Sequence, residues 1–439
     1  MVHTFGLNGR LFALDTESGS FFEIDRVVKT ILDGGDMSPF SSCEIQSAKD
    51  EINELISRGV LYAPETNATL PEYTPVIKAM CLNVSHNCNL ACEYCFAEGG
   101  TYNDERRNMS FETAKAAIDM LVEASGSRHN LEVDFFGGEP MLDIDVVKRT
   151  VYYARSIEKE KSKKFRFTIT TNAFKLDDDD IDFFNEQMYN VVISIDGRKC
   201  VHDRVRKTVG GQPTHDKVIE NALRFKEKRV GQYYVRGTFT RYNLDFCSDV
   251  LYLNDLGFDQ ISIEPVVLKA DSPMSIRDED IPKILAEYDK LTEEYIARRK
   301  TDKWFNFFHF MLDLDTAPCA VKRLKGCGAG GEYVAVSPDG SVYPCHQFDG
   351  IKDMKLGTVF EPKKLNEEIR KRFYYCSVPS KPECAKCWAK YYCSGGCMAN
   401  SHKFCGDINV PYKPACELMK KRVECAFAVK AIESASDDA

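Results

Sequence analysis

The chain opens on strand-like stretches and then turns helical. Residues 2–5 and 10–14 flank Asn8-Gly9, a pair whose two turn positions tolerate positive φ and which is the strongest short signal for a hairpin. Residues 19–24 predict a third strand. Apolar positions then recur at helical spacing, first at Val27, Val28 and Ile31, then at Ile45, Ala48, Ile52, Leu55 and Ile56. Residues 63–74, polar and carrying Pro64 and Pro71, predict a linker. From Val76 onward the pattern alternates: strands are predicted at 77–84, 131–136, 165–171, 191–195, 233–239 and 260–264. Amphipathic helices lie between them. Ala114, Ala117, Ile118, Leu121 and Val122 follow a Ser110 cap, and Val146, Val147, Thr150, Val151 and Ala154 form a second stripe. Six strands alternating with helices predict an α/β domain on a parallel sheet, with its active edge at the strand C-termini.

Composition adds limits. A chain of 439 residues with 44% apolar and 28% charged residues is an ordinary globular protein of two or three domains. A net charge of −9 argues against a nucleic-acid surface, which needs clustered Lys and Arg. The start lacks a charged segment followed by an apolar one, and no apolar run is long enough for a bilayer, so a cytoplasmic location with no membrane partner is expected. The acidic run 177–180 suits a helix start, and the basic run 159–164 is read as the solvated end of a helix.

The 18 cysteines change the picture. In a reducing compartment they point to metal rather than disulfides. Three fall between 88 and 95 and eleven after 318, while Cys43, Cys81, Cys200 and Cys247 are scattered and read as buried packing. Cys88, Cys92 and Cys95, spaced C-x3-C-x2-C, can each hold one iron of a [4Fe–4S] cube and leave the fourth iron for a small chelating molecule. Zinc is the alternative, but zinc takes four ligands and usually pairs two C-x2-C turns. Tyr94 stands where a ring can cover the open face. Gly137-Gly138-Glu139-Pro140 follows the second strand of the alternation, its glycines permitting close backbone approach and its carboxylate able to accept from an ammonium group.

The cysteine octet resembles the signature of the radical S-adenosylmethionine (radical SAM) enzymes, and the GGEP segment resembles their motif for the amino group of S-adenosylmethionine. The resemblance implies a partial (β/α)6 barrel, with Asn172, Ser194, Arg236 and Glu264 at later strand ends as further cofactor contacts. The tail, with Cys327, Gly340, Cys345, Cys384, Cys387, Cys393, Cys397 and Cys416, resembles the seven-cysteine SPASM extension, which implies two auxiliary [4Fe–4S] clusters. By that resemblance Cys384, Cys387, Cys393 and Cys416 hold one cluster, and Cys327, Cys345 and Cys397 hold the other, whose fourth iron is left either to Cys319 or open to a substrate thiolate. A pair of zinc sites is the competing reading of the tail.

Pro318-Cys319, Gly326–Gly328, Tyr343–Phe348 and Lys421–Ala426 look like the maturases of SCIFF peptides, short cysteine-rich precursors. The N-terminal strands and helices resemble the winged-helix element by which peptide-modifying enzymes hold a leader, adding it as a strand to a sheet edge; a structural cap is the alternative. The expected domains are therefore 1–70 for leader recognition, 75–305 for the barrel and 306–439 for the SPASM extension. The implied activity joins a cysteine sulfur to a carbon of another residue, using S-adenosylmethionine, three clusters and an external one-electron reductant. The rival readings are side-chain oxidation, carbon–carbon crosslinking, and an electron-transfer protein that cleaves no S-adenosylmethionine.

Overall fold

The structure is a computed structural model that describes residues 1–66, 68–102, 104–268, 271–312 and 323–437. The chain divides into two compact units. One comprises 1–71, 278–326 and 376–439, the other 72–277 and 327–375. Of the predicted tail domain 306–439, residues 306–326 and 376–439 fall in the first unit and 327–375 in the second.

In the first unit, β1 (Val2–Leu7), β2 (Arg10–Asp15) and β3 (Phe21–Ile24) form an antiparallel sheet in that order. Asn8 and Gly9 both have positive φ and close the hairpin with Leu7 opposite Arg10. Helix α1 (Arg26–Leu32) starts at an Asp25 cap, and α2 (Ser42–Ser57) at a capping box in which Ser41 and Glu44 satisfy each other's backbone donors. The predicted linker is not loose, because Ala68 and Leu70 pack on Leu324, Val378 and Tyr391.

The second unit is built on β4 (Ala79–Ser85), β5 (Asn130–Gly137), β6 (Lys164–Thr171), β7 (Asn190–Ser194), β8 (Gln232–Phe239) and β9 (Gln260–Pro265), all parallel and adjacent in chain order. Helices α3 (Phe111–Ala124), α4 (Ile144–Lys161), α5 (Asp178–Gln187), α6 (Lys199–Val205), α7 (His215–Lys228) and α8 (Phe246–Asp255) make the crossovers. Alternate residues of β5 and β6 supply the packing: Leu131, Val133, Phe135, Phe165, Phe167 and Ile169 are all buried, each worth about 1.5–3 kcal/mol. Every residue of β4 is buried.

Helix α9 (Ile281–Arg299) belongs to the first unit, where the C-terminal helix Lys413–Asp437 lies against it. Arg422 Nε donates to the Tyr288 hydroxyl at 2.8 Å, and Lys421 pairs with Asp289 at 2.5 Å. A short strand, β10 (Asn306–Phe307), also falls in this unit. In the second unit, β11 (Tyr333–Val336), β12 (Ser341–Tyr343) and β13 (Gly357–Thr358) extend the barrel sheet, with β11 parallel to β4 and Ala335 opposite Cys81.

Two expectations are corrected and a third holds. Cys81 and Cys247 are buried, but Cys43 and Cys200 are exposed, since each sits near the start of a helix on its outer face. Lys163 is not solvated: it is 7% exposed and donates to the carbonyls of Gly126 and Arg128, satisfying acceptors beyond the end of α3. The acidic run does start α5, with Asp177 accepting from the Asp180 amide, yet Asp180 is buried beside Lys148. Among the described residues no helix is long and apolar enough to cross a membrane.

Candidate active site

Parallel strands bring their C-terminal ends to one edge, and the cluster loop leaves β4 there. The glycine pair fixes where that loop begins. Gly138 N donates to Ser85 O at 2.7 Å and Glu139 N donates to Asn87 O at 2.9 Å. A Cβ on Gly137 would meet Ser85 O at 2.4 Å, and one on Gly138 would meet Asn87 O at 2.2 Å. The close approach that these glycines permit is therefore to the protein's own backbone, one residue before Cys88. Gly138→Ala is expected to push the loop off its strand and destabilise the fold by about 1–3 kcal/mol. Denaturation midpoint and iron content, read together, check this.

Glu139 is 1% exposed. Its Oε1 accepts from the Met141 amide at 3.1 Å and the Thr171 hydroxyl at 2.6 Å, and its Oε2 from the Asn172 amide at 2.7 Å. Burial pushes its pKa up and these three donors pull against it. The carboxylate thus ties the end of β6 to the glycine segment. Asn172 passes the tie on, its Nδ2 donating to Asn89 Oδ1 at 2.8 Å and lying 3.8 Å from Cys88 Sγ.

Tyr94 is anchored rather than free-standing. Its hydroxyl donates to the Asp196 carboxylate, with oxygens at 2.7 and 2.9 Å, and accepts from Arg206 Nη1 at 2.8 Å. The Thr238 amide also donates to Asp196, at 3.0 Å. Sequence reasoning missed Arg206. It is 7% exposed, it interacts with Cys92, Tyr94 and Asp196, and among the described residues its Nε has no hydrogen-bond partner. A buried cation with an unused donor suits an anionic group.

These side chains line one cavity of about 280 Å³. Cys88, Cys92, Tyr94, Cys95, Gly137, Gly138, Glu139, Asn172, Ser194, Arg236 and Glu264 all face it, which brings together every predicted residue of the cofactor site. Arg236 and Glu264 pair across adjacent strands at 3.6 Å. Burial pushes the Cys88 thiol up to about 12 and the Cys92 thiol up to about 11. Such thiols give up their protons to a metal rather than to water. Among the described residues no three His, Cys, Asp or Glu groups converge to hold a single ion; a cube takes one thiolate per iron and spreads its ligands. The three thiols, the Arg206 donor and the strand-end polar groups fit a three-coordinated cluster with a small zwitterionic ligand.

His346 and Gln347, also missed, line the same cavity. The imidazole lies beside Phe136 and Phe96, with centroids at 5.1 and 5.6 Å, and its Nδ1 is 3.3 Å from the Tyr333 hydroxyl. Burial lowers its pKa to about 4, with Arg236 adding to the effect, so the ring is neutral at physiological pH. Its place directly after Cys345 was the available signal.

In the first unit Cys384, Cys387, Cys393 and Cys416 line a separate cavity of about 470 Å³. Cys384, Cys393 and Cys416 each feel neighbouring thiols, and burial pushes Cys384 and Cys416 up to about 11. Four thiols around one cavity fit a fully ligated cluster. Of the other predicted set, Cys327 is exposed and Cys345 buried in the second unit, Cys397 is exposed in the first, and Cys319 lies outside the described residues. Cys376, Cys405 and Cys425 stand apart, each with its sulfur near a backbone carbonyl, of Ile408, Pro411 and Tyr288 respectively.

Comparison with known proteins agrees with this geometry. The Radical SAM superfamily matches residues 82–241, and the SPASM iron–sulfur cluster-binding domain matches 327–388. The cysteine-type anaerobic sulfatase-maturating enzyme of Clostridium perfringens is 26% identical over 379 residues, 80% of this chain and 97% of its own. Among solved structures, native anSMEcpe with bound AdoMet superposes with a TM-score of 0.66 at 22% identity, covering 83% of this chain and 100% of that one. Streptococcus suis SuiB bound to the precursor peptide SuiA superposes at 0.55 with 17% identity, over 92% and 95% of the two chains. The chain carries a radical SAM domain on an α/β parallel sheet, followed by a SPASM iron–sulfur cluster-binding domain.

Proposed function

We propose that this protein is a peptide maturase that joins a cysteine sulfur to a carbon of another residue in a ribosomally made, cysteine-rich SCIFF-type precursor. The observation that carries the radical part of this reading is the single cavity shared by three loop thiols, the glycine segment and the polar strand ends. The thioether part rests on the resemblance of the segments around Cys327, Cys345 and Cys425 to the SCIFF maturases. Sulfatase-maturating relatives and a SuiB structure with a bound precursor peptide favour a peptide or protein substrate.

When bound, the cluster and S-adenosylmethionine supply one electron and a 5′-deoxyadenosyl radical that removes hydrogen from the acceptor carbon. The protein's residues do the rest. Cys88, Cys92 and Cys95 hold three irons, Arg206 and the strand-end groups Asn172, Ser194, Arg236 and Glu264 orient the cofactor, and Tyr94 and Phe96 wall the cavity. Forming the carbon–sulfur bond releases the thiol proton and one electron. His346, neutral and on the cavity wall, takes the proton, and the tail cysteines would hold clusters able to accept the electron. The N-terminal sheet holds the leader, and an external reductant restarts each turnover.

Coexpression with a short cysteine-rich precursor peptide tests the reading. A thioether removes two hydrogens, keeps the sulfur, and leaves a bridged segment that does not fragment between the joined residues. The second reading, side-chain oxidation, is favoured by the sulfatase-maturating relatives and leaves the peptide unbridged. A modified, unbridged product would replace the first reading with the second.

A further inference from the structure

Within the first unit, the turn between β2 and β3 reaches the cysteine-rich tail. The Glu17 side chain is 3% exposed and its carboxylate lies 2.7 Å from Lys390 Nζ, on a side chain 5% exposed. Glu17 also accepts from the Tyr391 hydroxyl and the Thr66 amide, both at 3.0 Å. Next to it, Thr16 Oγ1 donates to the Trp388 carbonyl at 3.1 Å, and the His3 ring stacks on the Trp388 indole with centroids 3.7 Å apart. Lys390 has a second carboxylate, the exposed Glu65, at 3.2 Å.

Trp388, Lys390 and Tyr391 all lie between Cys387 and Cys393, two of the four thiols around the tail cavity, and Trp388 and Lys390 themselves line it. The helix that carries Cys393, Lys390–Cys393, is a single turn. A helix of that length does not hold itself together in water, so its partners set its position. Here the partners include a buried carboxylate and a buried ammonium, and a buried charge stripped of its partner leaves for water and takes its backbone with it.

We propose that Glu17 is a positioning residue for the cluster of the tail: through Lys390 it fixes the segment that presents Cys387 and Cys393. The N-terminal sheet is then part of that cluster's housing as well as the candidate leader-binding element. The inference rests on the reading of Cys384, Cys387, Cys393 and Cys416 as cluster ligands.

The test uses the full-length protein, reconstituted without oxygen, and follows iron release to a chelator. Glu17→Gln is expected to release the tail iron about tenfold faster than wild type, with the iron of the Cys88 loop unaffected. Glu17→Gln combined with Lys390→Met, which removes both charges, is expected to slow release again. A double variant as fast as the single one would overturn the pairing. The variant Cys384→Ser/Cys416→Ser identifies which iron belongs to the tail. If it loses none, the cluster reading fails; if it loses that fraction and Glu17→Gln releases the same fraction at the wild-type rate, the positioning proposal fails. Should Glu17→Gln not accumulate as folded protein, Tyr391→Phe, which removes a donor that holds the Glu17 carboxylate, gives the milder version: about two- to threefold faster release with unchanged circular dichroism. Release at the wild-type rate from that variant is equally decisive against the proposal.

Discussion

Alanine at Cys88, Cys92 and Cys95 together is expected to lower the iron of the reconstituted protein from about twelve to about eight per chain and to reduce cleavage of S-adenosylmethionine to background. Two features make the loss selective. The three thiols share one cavity with the glycine segment, whereas Cys384, Cys387, Cys393 and Cys416 line another cavity in a different compact unit. The loop is also held by backbone hydrogen bonds from Gly138 and Glu139, so it keeps its place when the sulfurs are gone. Burial keeps Cys88 and Cys92 protonated until iron takes them, and removing them takes away the means of loading that site. A protein that loads mainly zinc, or a triple variant that still cleaves S-adenosylmethionine, would sink the assignment.

His346→Gln is expected to slow formation of the sulfur–carbon bond by ~10²-fold or more, with reductive cleavage of S-adenosylmethionine kept within about threefold. Glutamine keeps much of the size of the ring and a hydrogen bond toward Tyr333, but it cannot take a proton. The pH profile separates this role from simple packing. A base works in its neutral form, so the wild-type rate should fall as pH drops toward the His346 pKa, lowered to about 4 by burial. The variant should lose that acidic limb. If cleavage and bond formation fall together, the ring is a wall of the cavity and the proton goes elsewhere.

Much of this was legible in the sequence because period-two and helical patterns report burial directly. The six barrel strands fall where apolar runs place them, and the Asn8-Gly9 hairpin closes as its turn chemistry requires. What stayed hidden was mostly long-range. The β11–β12 hairpin had a readable turn, Ser337-Pro338-Asp339-Gly340 between two apolar runs, but the nearby cysteines drew it into a metal-site reading. Its parallel pairing with β4, some 250 residues earlier in the chain, has no local signature. Arg206 reads as one more basic residue among Arg204 and Lys207, and only the fold buries it beside Tyr94 and Asp196. Glu139, predicted as a cofactor contact, lines the cavity, and only the fold shows the three protein donors that its carboxylate also accepts from. Cofactor ligands are recognisable by spacing, whereas the residues that hold them in place are recognisable only by distance in space.

The first unit is assembled from three segments far apart in the sequence, and this bears on how the protein is made. His3 meets Glu424 across 421 positions, and Thr16 meets Trp388 across 372. At a synthesis rate of roughly 5–20 residues per second, the opening strands wait about 20–80 s for their partners. The barrel strands can pair in the meantime, since residues 72–277 are contiguous. During that interval Phe5, Phe12 and Phe21, which stack on one another in the finished sheet, have no C-terminal helix to cover them. The nascent chain therefore exposes an apolar sheet face that cannot yet be buried, a substrate for holding chaperones, and Cys416, the last thiol of the tail cavity, is made only after all three strands and the barrel.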